Sequence, residues 1–218
     1  MGYTNSIVSR IVFGEVQVIP SIIHQIWVGP EPIPLRERGF RQLLKMKNPL
    51  YEHNLYRDSD VEYLAMPEKM QTLYDAHYKE KKWAFCADVL RIWVTYKFGG
   101  FYCDIDFEPI KSLDEFLEHD GVFCYHPTQA DDFTIVNGFW GASKEHPIFK
   151  HLVEATQNDA WWVGPEFVGR EVKKYFGLPY EMPQNAVQFA LMTNDFTYFD
   201  WKKFDETFMK HHALYSWK

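Results

Sequence analysis

Cysteine, basic charge and long apolar runs are all scarce in this 218-residue chain. Its three cysteines, Cys86, Cys103 and Cys124, are odd in number, lack metal-knuckle spacing and sit among apolar or aromatic neighbours. That pattern excludes a disulfide framework, points to buried reduced thiols and gives no basis for a zinc site. Lys and Arg number 23 against 30 Asp and Glu, a formal net charge of −7 without a dense basic run. A phosphate backbone would find no electrostatic footprint here, so nucleic acid is not an expected partner. No apolar stretch approaches the ~18–20 residues needed to cross a bilayer, and the opening segment is too polar for a signal peptide core. The expectation is a cytoplasmic protein without a transmembrane segment. No repeat, low-complexity tract or linker divides residues 1–218, which read as a single domain.

What the chain has in surplus is aromatic side chains: 18 Phe, 13 Tyr and 8 Trp, 18% of all residues. This is about twice the usual share and excludes disorder. Most such rings fill cores, but aromatics also stack on nucleobases and sugar rings.

Strand and helix patterns alternate along the chain. Within residues 1–18, the run Ile11, Val12, Phe13, Val16 and Val18 marks an N-terminal extension or hairpin. From Ile19 a nearly continuous apolar strand runs to the stop at Gly29 and Pro30. Residues 35–46 and 67–80 read as helices, with a strand at 51–56 between them. Phe85, Val89, Ile92 and Tyr96 then form one apolar helix face, and Gly99 and Gly100 supply a positive-φ stop. Phe101 to Phe107 alternates as a strand does, with Tyr102, Asp104 and Asp106 on one side. Further strands are expected at 121–125, 134–139 and 195–199, and helices at 146–157 and 165–176. The fold class is α/β, with a mixed, mostly parallel sheet flanked by helices.

Two constellations carry chemical potential. Asp104 and Asp106, on one face of an otherwise apolar strand, repel each other unless positive charge lies beside them, and a divalent Mg²⁺ or Mn²⁺ shared with a diphosphate meets that need. A solvated surface pair is the plainer alternative. Asp88 and Arg91, at i and i+3 on the helix just before, are either an ordinary ion pair or a carboxylate and guanidinium that grip a sugar and its phosphate.

The order of these pieces is more specific than any one of them. Residues 19–29 (Ile-Pro-Ser-Ile-Ile-His-Gln-Ile-Trp-Val-Gly), then Ala84, Asp88, Arg91, Tyr96, Gly99-Gly100, Tyr102, Asp104 and Asp106, resemble the signature blocks of the glycosyltransferase family 32 type. That group includes fungal initiating mannosyltransferases, bacterial capsule and lipopolysaccharide transferases and, more remotely, the glucosylating clostridial toxins. Asn137-Gly138-Phe139, His146-Pro147, Gly164-Pro165 and the segment from His211 to Trp217 extend the resemblance over residues 19–217.

The resemblance implies a GT-A (Rossmann-like) fold, a nucleotide-diphosphosugar donor with UDP before GDP, a Mn²⁺ or Mg²⁺ ion, and hexose transfer with retention to a glycan or glycolipid hydroxyl. By the same resemblance Trp27 stacks on the donor base, Asp88 and Arg91 hold the donor sugar, and Asp104 faces ribose, sugar or metal-bound water. Asp106 ligates the metal, with His211 or His212 as a further metal or phosphate ligand. Asn137 lies beside sugar and acceptor, and Ile26, Tyr102 and Gly138 complete the donor-contacting set. Ser216 and Trp217 would close over the diphosphate as a lid formed by residues 211–218. Glu166 and Asp132 offer no clear nucleophile and read as solvated or capping carboxylates. A module that binds or hydrolyses sugar nucleotides, and a protein-modifying transferase, remain as alternatives. Without the membrane anchor of Golgi relatives, the expected setting is a soluble bacterial or viral enzyme with peripheral membrane contact through exposed aromatics. Deleting residues 213–218 is expected to weaken donor binding strongly and leave folding intact; unchanged affinity in a donor titration overturns the lid.

Overall fold

The chain is described by a computed structural model at residues 18–127, 133–158, 160–177, 197–200 and 208–212. Most of the expected N-terminal hairpin, Asp132, Ser216 and Trp217 lie outside the described residues.

In chain order the elements are β1 (Ile22–Ile26), α1 (Leu35–Lys47), β2 (Glu52–Tyr56), α2 (Glu68–Lys79), α3 (Trp83–Phe98), β3 (Gly100–Cys103), β4 (Phe107–Pro109), β5 (Gly121–Pro127), β6 (Phe133–Ala142), α4 (Pro147–Gln157), α5 (Pro165–Tyr175), β7 (Thr197–Asp200) and β8 (Met209–His211). The main sheet has the order β2-β1-β3-β6-β5-β7. β1 is parallel to β2 and β3, and β5 is parallel to β7, whereas β6 runs against both β3 and β5. The reversal at β6 follows from its short connection to β5, since a parallel return needs a crossover of a dozen residues or more.

The expected strand from Phe101 to Phe107 is two strands. β3 ends at Cys103, and Asp104-Ile105-Asp106 turns, with the Phe107 N–H donating to the Asp104 carbonyl at 3.4 Å. β4 then leaves the main sheet and pairs antiparallel with β8, Phe107 opposite His211. Two carboxylates side by side at the rim of an apolar sheet favour a turn at the edge over continued burial in the ladder.

Side-chain alternation along β3 builds two cores. Phe101 and Cys103 join Ile23, Val122, Cys124 and Phe139 on one face, beneath Leu44, Phe116 and Phe208. Tyr102 faces the other way, with Phe123 and Trp140, toward α2, α3, α4 and α5. All three cysteines are free and buried. Burial pushes the Cys86 thiol up to about 12, so it is inert as a nucleophile.

α3 is the central helix. Its expected apolar face is present, but Cys86, Leu90 and Val94 are also fully buried, and Asp88 and Arg91 are buried with them. A helix covered on this many sides needs an abrupt exit. Gly99 and Gly100 take φ of +67° and +90°, and a Cβ would come within 2.6 Å of the Lys144 nitrogen at the first and of the Ile22 carbonyl at the second. Only glycine lets β3 leave the helix and lie against β1 at once.

His24 on β1 is buried between two partners. Its Nε2 donates to the Gly99 carbonyl at 2.7 Å, so Nδ1 accepts from the Tyr56 hydroxyl at 3.0 Å. Burial lowers its pKa from 6.5 to about 4, against the raising effect of the Gly99 bond. A base with a depressed folded-state pKa stabilises the fold fully above its unfolded value and loses that stability as pH falls from 6.5 through 4. The loss is on the order of 3 kcal/mol. In denaturant unfolding, the stability of the wild type is expected to fall more steeply between pH 7.5 and pH 5 than that of His24→Gln; parallel profiles contradict this.

Candidate active site

The chain passes from β1 to β2 on one side and to β3 on the other, so the crevice beyond the C-terminal ends of β1 and β3 is a topological switch point. Trp27 follows β1 there, and Asp104 follows β3.

Arg91 is the hub. Its Nη2 lies 3.2 Å from Asp88 Oδ1 and 3.4 Å from Asp104 Oδ1, and its Nη1 donates to the Asn137 carbonyl at 2.7 Å. The guanidinium carbon stands 4.8 Å from the centre of the Tyr102 ring, a cation–π contact. The Tyr102 hydroxyl donates to Asp104 Oδ1. Asp88 is held from two further directions: Asn137 Nδ2 donates to its Oδ1 at 2.9 Å and Trp162 Nε1 to its Oδ2 at 3.2 Å. Desolvation raises the Asp88 pKa to about 6, opposed by the Arg91 charge and by these two donors. Asp104 is raised likewise, by burial first and by the neighbouring Asp106 charge, again against Arg91.

The β4–β8 pair brings a histidine to the two aspartates. Asp104, Asp106 and His211 each offer a ligand atom, and these atoms lie within 4.8 Å of one another. His211 Nε2 is 3.4 Å from Asp106 Oδ2, and its ring stacks on Phe107 at 4.6 Å between centroids. Opposite Asp104 Oδ2 is Gly138, where a Cβ would come within 2.9 Å of that oxygen. Asp88, Asp104 and Asp106 outnumber Arg91 by two negative charges in a site that is buried at Asp88 and Arg91 and half-buried at the other two carboxylates. A divalent cation balances that excess, and two carboxylate oxygens with one imidazole nitrogen suit Mn²⁺, with Mg²⁺ the harder alternative.

The two candidate histidines separate. His212 turns to Glu108, 2.8 Å away, and stacks on Phe40 at 5.0 Å, and it is absent from the aspartate cluster. Successive residues of a strand point to opposite faces, so only one of the pair can meet the aspartates. Ile26 is buried at the end of β1. Trp27 is half-buried, its Nε1 donating to the Glu31 carbonyl at 2.7 Å. The loop that carries it is fixed by Asp58, whose two oxygens each accept from the Gly29 N–H at 3.2 Å. Glu166 is an exposed first-turn carboxylate of α5, placed to favour the helix N-terminus. Trp162, Asp58 and Glu108 escaped the sequence analysis. For Trp162 a signal existed: two adjacent tryptophans just before Gly164-Pro165, where a Cβ on Gly164 would come within 2.0 Å of the Trp162 ring.

Residues 34–123 match the family model described as "Glycosyltransferase sugar-binding region containing DXD motif". Over that stretch, less than half of its length, the chain is similar to the DXD glycosyltransferases. Over 152 residues it is 32% identical to "Uncharacterized glycosyltransferase L373" of Acanthamoeba polyphaga mimivirus, covering 66% of this chain and 59% of that protein. Over 138 residues it is 31% identical to "Inositol phosphoceramide mannosyltransferase 3" of Schizosaccharomyces pombe, covering 62% and 36% respectively. The chain therefore spans less than two thirds of the length of these relatives. Among solved structures, "PaToxG Glycosyltransferase" superposes with a TM-score of 0.63 at 17% identity, over 82% of this chain and 86% of that one. The fold is GT-A.

Of the site's groupings, the cluster of Asp104, Asp106 and His211 is the directly measurable one. In a Mn²⁺ titration followed by electron paramagnetic resonance, Asp106→Ala and His211→Ala are expected to weaken binding at least about tenfold, and His212→Ala to leave it unchanged. Loss of binding on His212→Ala with His211→Ala unaffected reverses the assignment.

Proposed function

We propose that this chain transfers a hexose from a nucleoside-diphosphate sugar to a hydroxyl of a glycan or glycolipid, with retention and in dependence on Mn²⁺ or Mg²⁺. The observation that carries the reading is the coupling of the Asp104, Asp106 and His211 cluster to a buried guanidinium that shares Asp104 with it. A cation held by those three residues would offset the charge of the diphosphate.

The chain's own groups do the rest. Arg91 brings fixed positive charge toward the place where the leaving phosphate gains negative charge, and it is preorganised because Asp88, Asp104 and the Asn137 carbonyl hold it. Asp88 serves as an acceptor for sugar hydroxyls rather than as an attacking group: Arg91, Asn137 and Trp162 already occupy its two oxygens. With that carboxylate committed, attack by the acceptor hydroxyl from the face of the departing phosphate, which takes its proton, is the route consistent with retention. Trp27, on the loop after β1, would lie under the base. The S. pombe relative is named "Inositol phosphoceramide mannosyltransferase 3", so mannose is the first sugar and inositol phosphoceramide the first acceptor to try.

A thermal-shift screen of UDP- and GDP-sugars with Mn²⁺ tests the donor. A ligand at about 100 times its Kd stabilises by about 2.7 kcal/mol, so one sugar nucleotide is expected to stand out and EDTA to erase its shift. Arg91→Lys is expected to lower transfer about 100-fold or more. Stabilisation by no sugar nucleotide, or full transfer in chelator, refutes the proposal.

A further inference from the structure

Trp161 is 71% exposed, although it adjoins a residue bonded inside the site. Its neighbour Trp162 donates to Asp88 and packs on Phe85 at 5.7 Å between centroids, and Phe85 in turn meets the buried His77 edge-on at 5.2 Å. The 161–164 segment is thus tied to α2 and α3 through Trp162. Val163 and Gly164 are buried behind it, and α5 begins at Pro165. Trp161 stands out from this fixed segment, its ring 6.0 Å from that of Trp162 and inclined to it by 40°.

A single exposed apolar side chain ordinarily requires no explanation. Two facts set this one apart. The indole of its neighbour Trp162 is bonded to the carboxylate that the proposed function assigns to the donor sugar, so Trp161 is one residue away from a side chain anchored at the reacting centre. An indole also has only two side-chain torsions, so a ligand that stacks on it pays little ordering entropy. A hexopyranose presents a face of C–H bonds that packs on the negative face of an aromatic ring.

We propose that Trp161 is the stacking platform of an acceptor subsite, binding the ring of the acceptor sugar across Trp162 from the Asp88 and Arg91 pair. The inference rests on the transferase reading and names the acceptor side of that site. The platform orients the acceptor without touching the diphosphate. Its loss therefore acts on acceptor binding and spares the donor.

The test uses the full-length protein and three variants, Trp161→Ala, Trp161→Phe and Trp161→Tyr. With a soluble hexoside acceptor, Trp161→Ala is expected to raise the acceptor KM about tenfold, on the scale of a lost stacking contact. Donor Kd and acceptor-free release of nucleoside diphosphate should stay at wild-type values, and the Phe and Tyr variants should recover most of the loss. In protein labelled with 5-fluorotryptophan, the resonance that Trp161→Phe removes should shift on titration with methyl α-mannopyranoside or a short mannoside, with no donor present. An unchanged acceptor KM in Trp161→Ala overturns the subsite. So does a loss confined to vesicle-embedded acceptors, which makes Trp161 a membrane contact. Absence of turnover in the wild type, together with a shift at Trp161 on sugar addition, defeats the transferase reading and upholds the sugar subsite.

Discussion

The buried guanidinium of Arg91 is the constraint from which the rest of the site follows. Its side chain and that of Asp88 are 6% and 8% exposed, so neither charge has water to fall back on. Breaking one member of such a pair typically costs 3–5 kcal/mol, because the other is left desolvated and alone. The chain meets this by surrounding Arg91 with the Asp88 and Asp104 carboxylates, the Asn137 carbonyl and the face of Tyr102. Each of these groups comes from a different part of the fold: α3 itself, the turn after β3, β6 and β3. Arg91 therefore fixes the spacing of three elements as well as the charge of the site.

One consequence is that the Asp104 carboxylate serves two neighbours. Its Oδ1 is shared by Tyr102 and Arg91, while its Oδ2 faces the space kept open by Gly138. The negative charge of Asp106 then lies close by with His211 beside it, and burial first, with the Asp106 charge behind it, raises the pKa of Asp104. The break of the strand at Asp104 is part of the same arrangement. A continued ladder would have carried Asp106 along the main sheet, whereas the turn hands the chain to β4, and β4 recruits His211 through its pairing with β8.

Much of this was legible in residue pattern. The apolar positions of α3, the glycine stop, the alternation through Cys103 and the grouping of Asp88, Arg91, Asp104 and Asp106 all depend on local periodicity, and the structure shows each of them. The parts that escaped depend on contacts distant in sequence. Trp162 reaches Asp88 across 74 positions, and the choice between His211 and His212 is made by strand register against β4, which no local pattern encodes. The end of the strand at Cys103 was missed for a different reason: alternation continues through a turn when the turn residues happen to alternate as well. Of the two tryptophans expected over the donor, Trp27 lies where the sequence placed it, after β1, and Trp217 lies outside the described residues.

The aromatic surplus divides by position rather than by residue type. Phe101, Phe116, Phe123, Phe139, Phe149 and Trp140 are fully buried and fill the two faces of the sheet. The one polar atom in this group, Trp140 Nε1, donates to Thr95 Oγ1 at 2.8 Å. Trp162 makes the same kind of bond, but to a charged carboxylate at the site, so its ring both packs and holds Asp88. Trp161 carries the series one step outward, from core, through the site wall, to solvent. Indoles suit all three positions because each joins a large apolar face to one directional donor. The surplus thus serves the core and the wall of the candidate site alike.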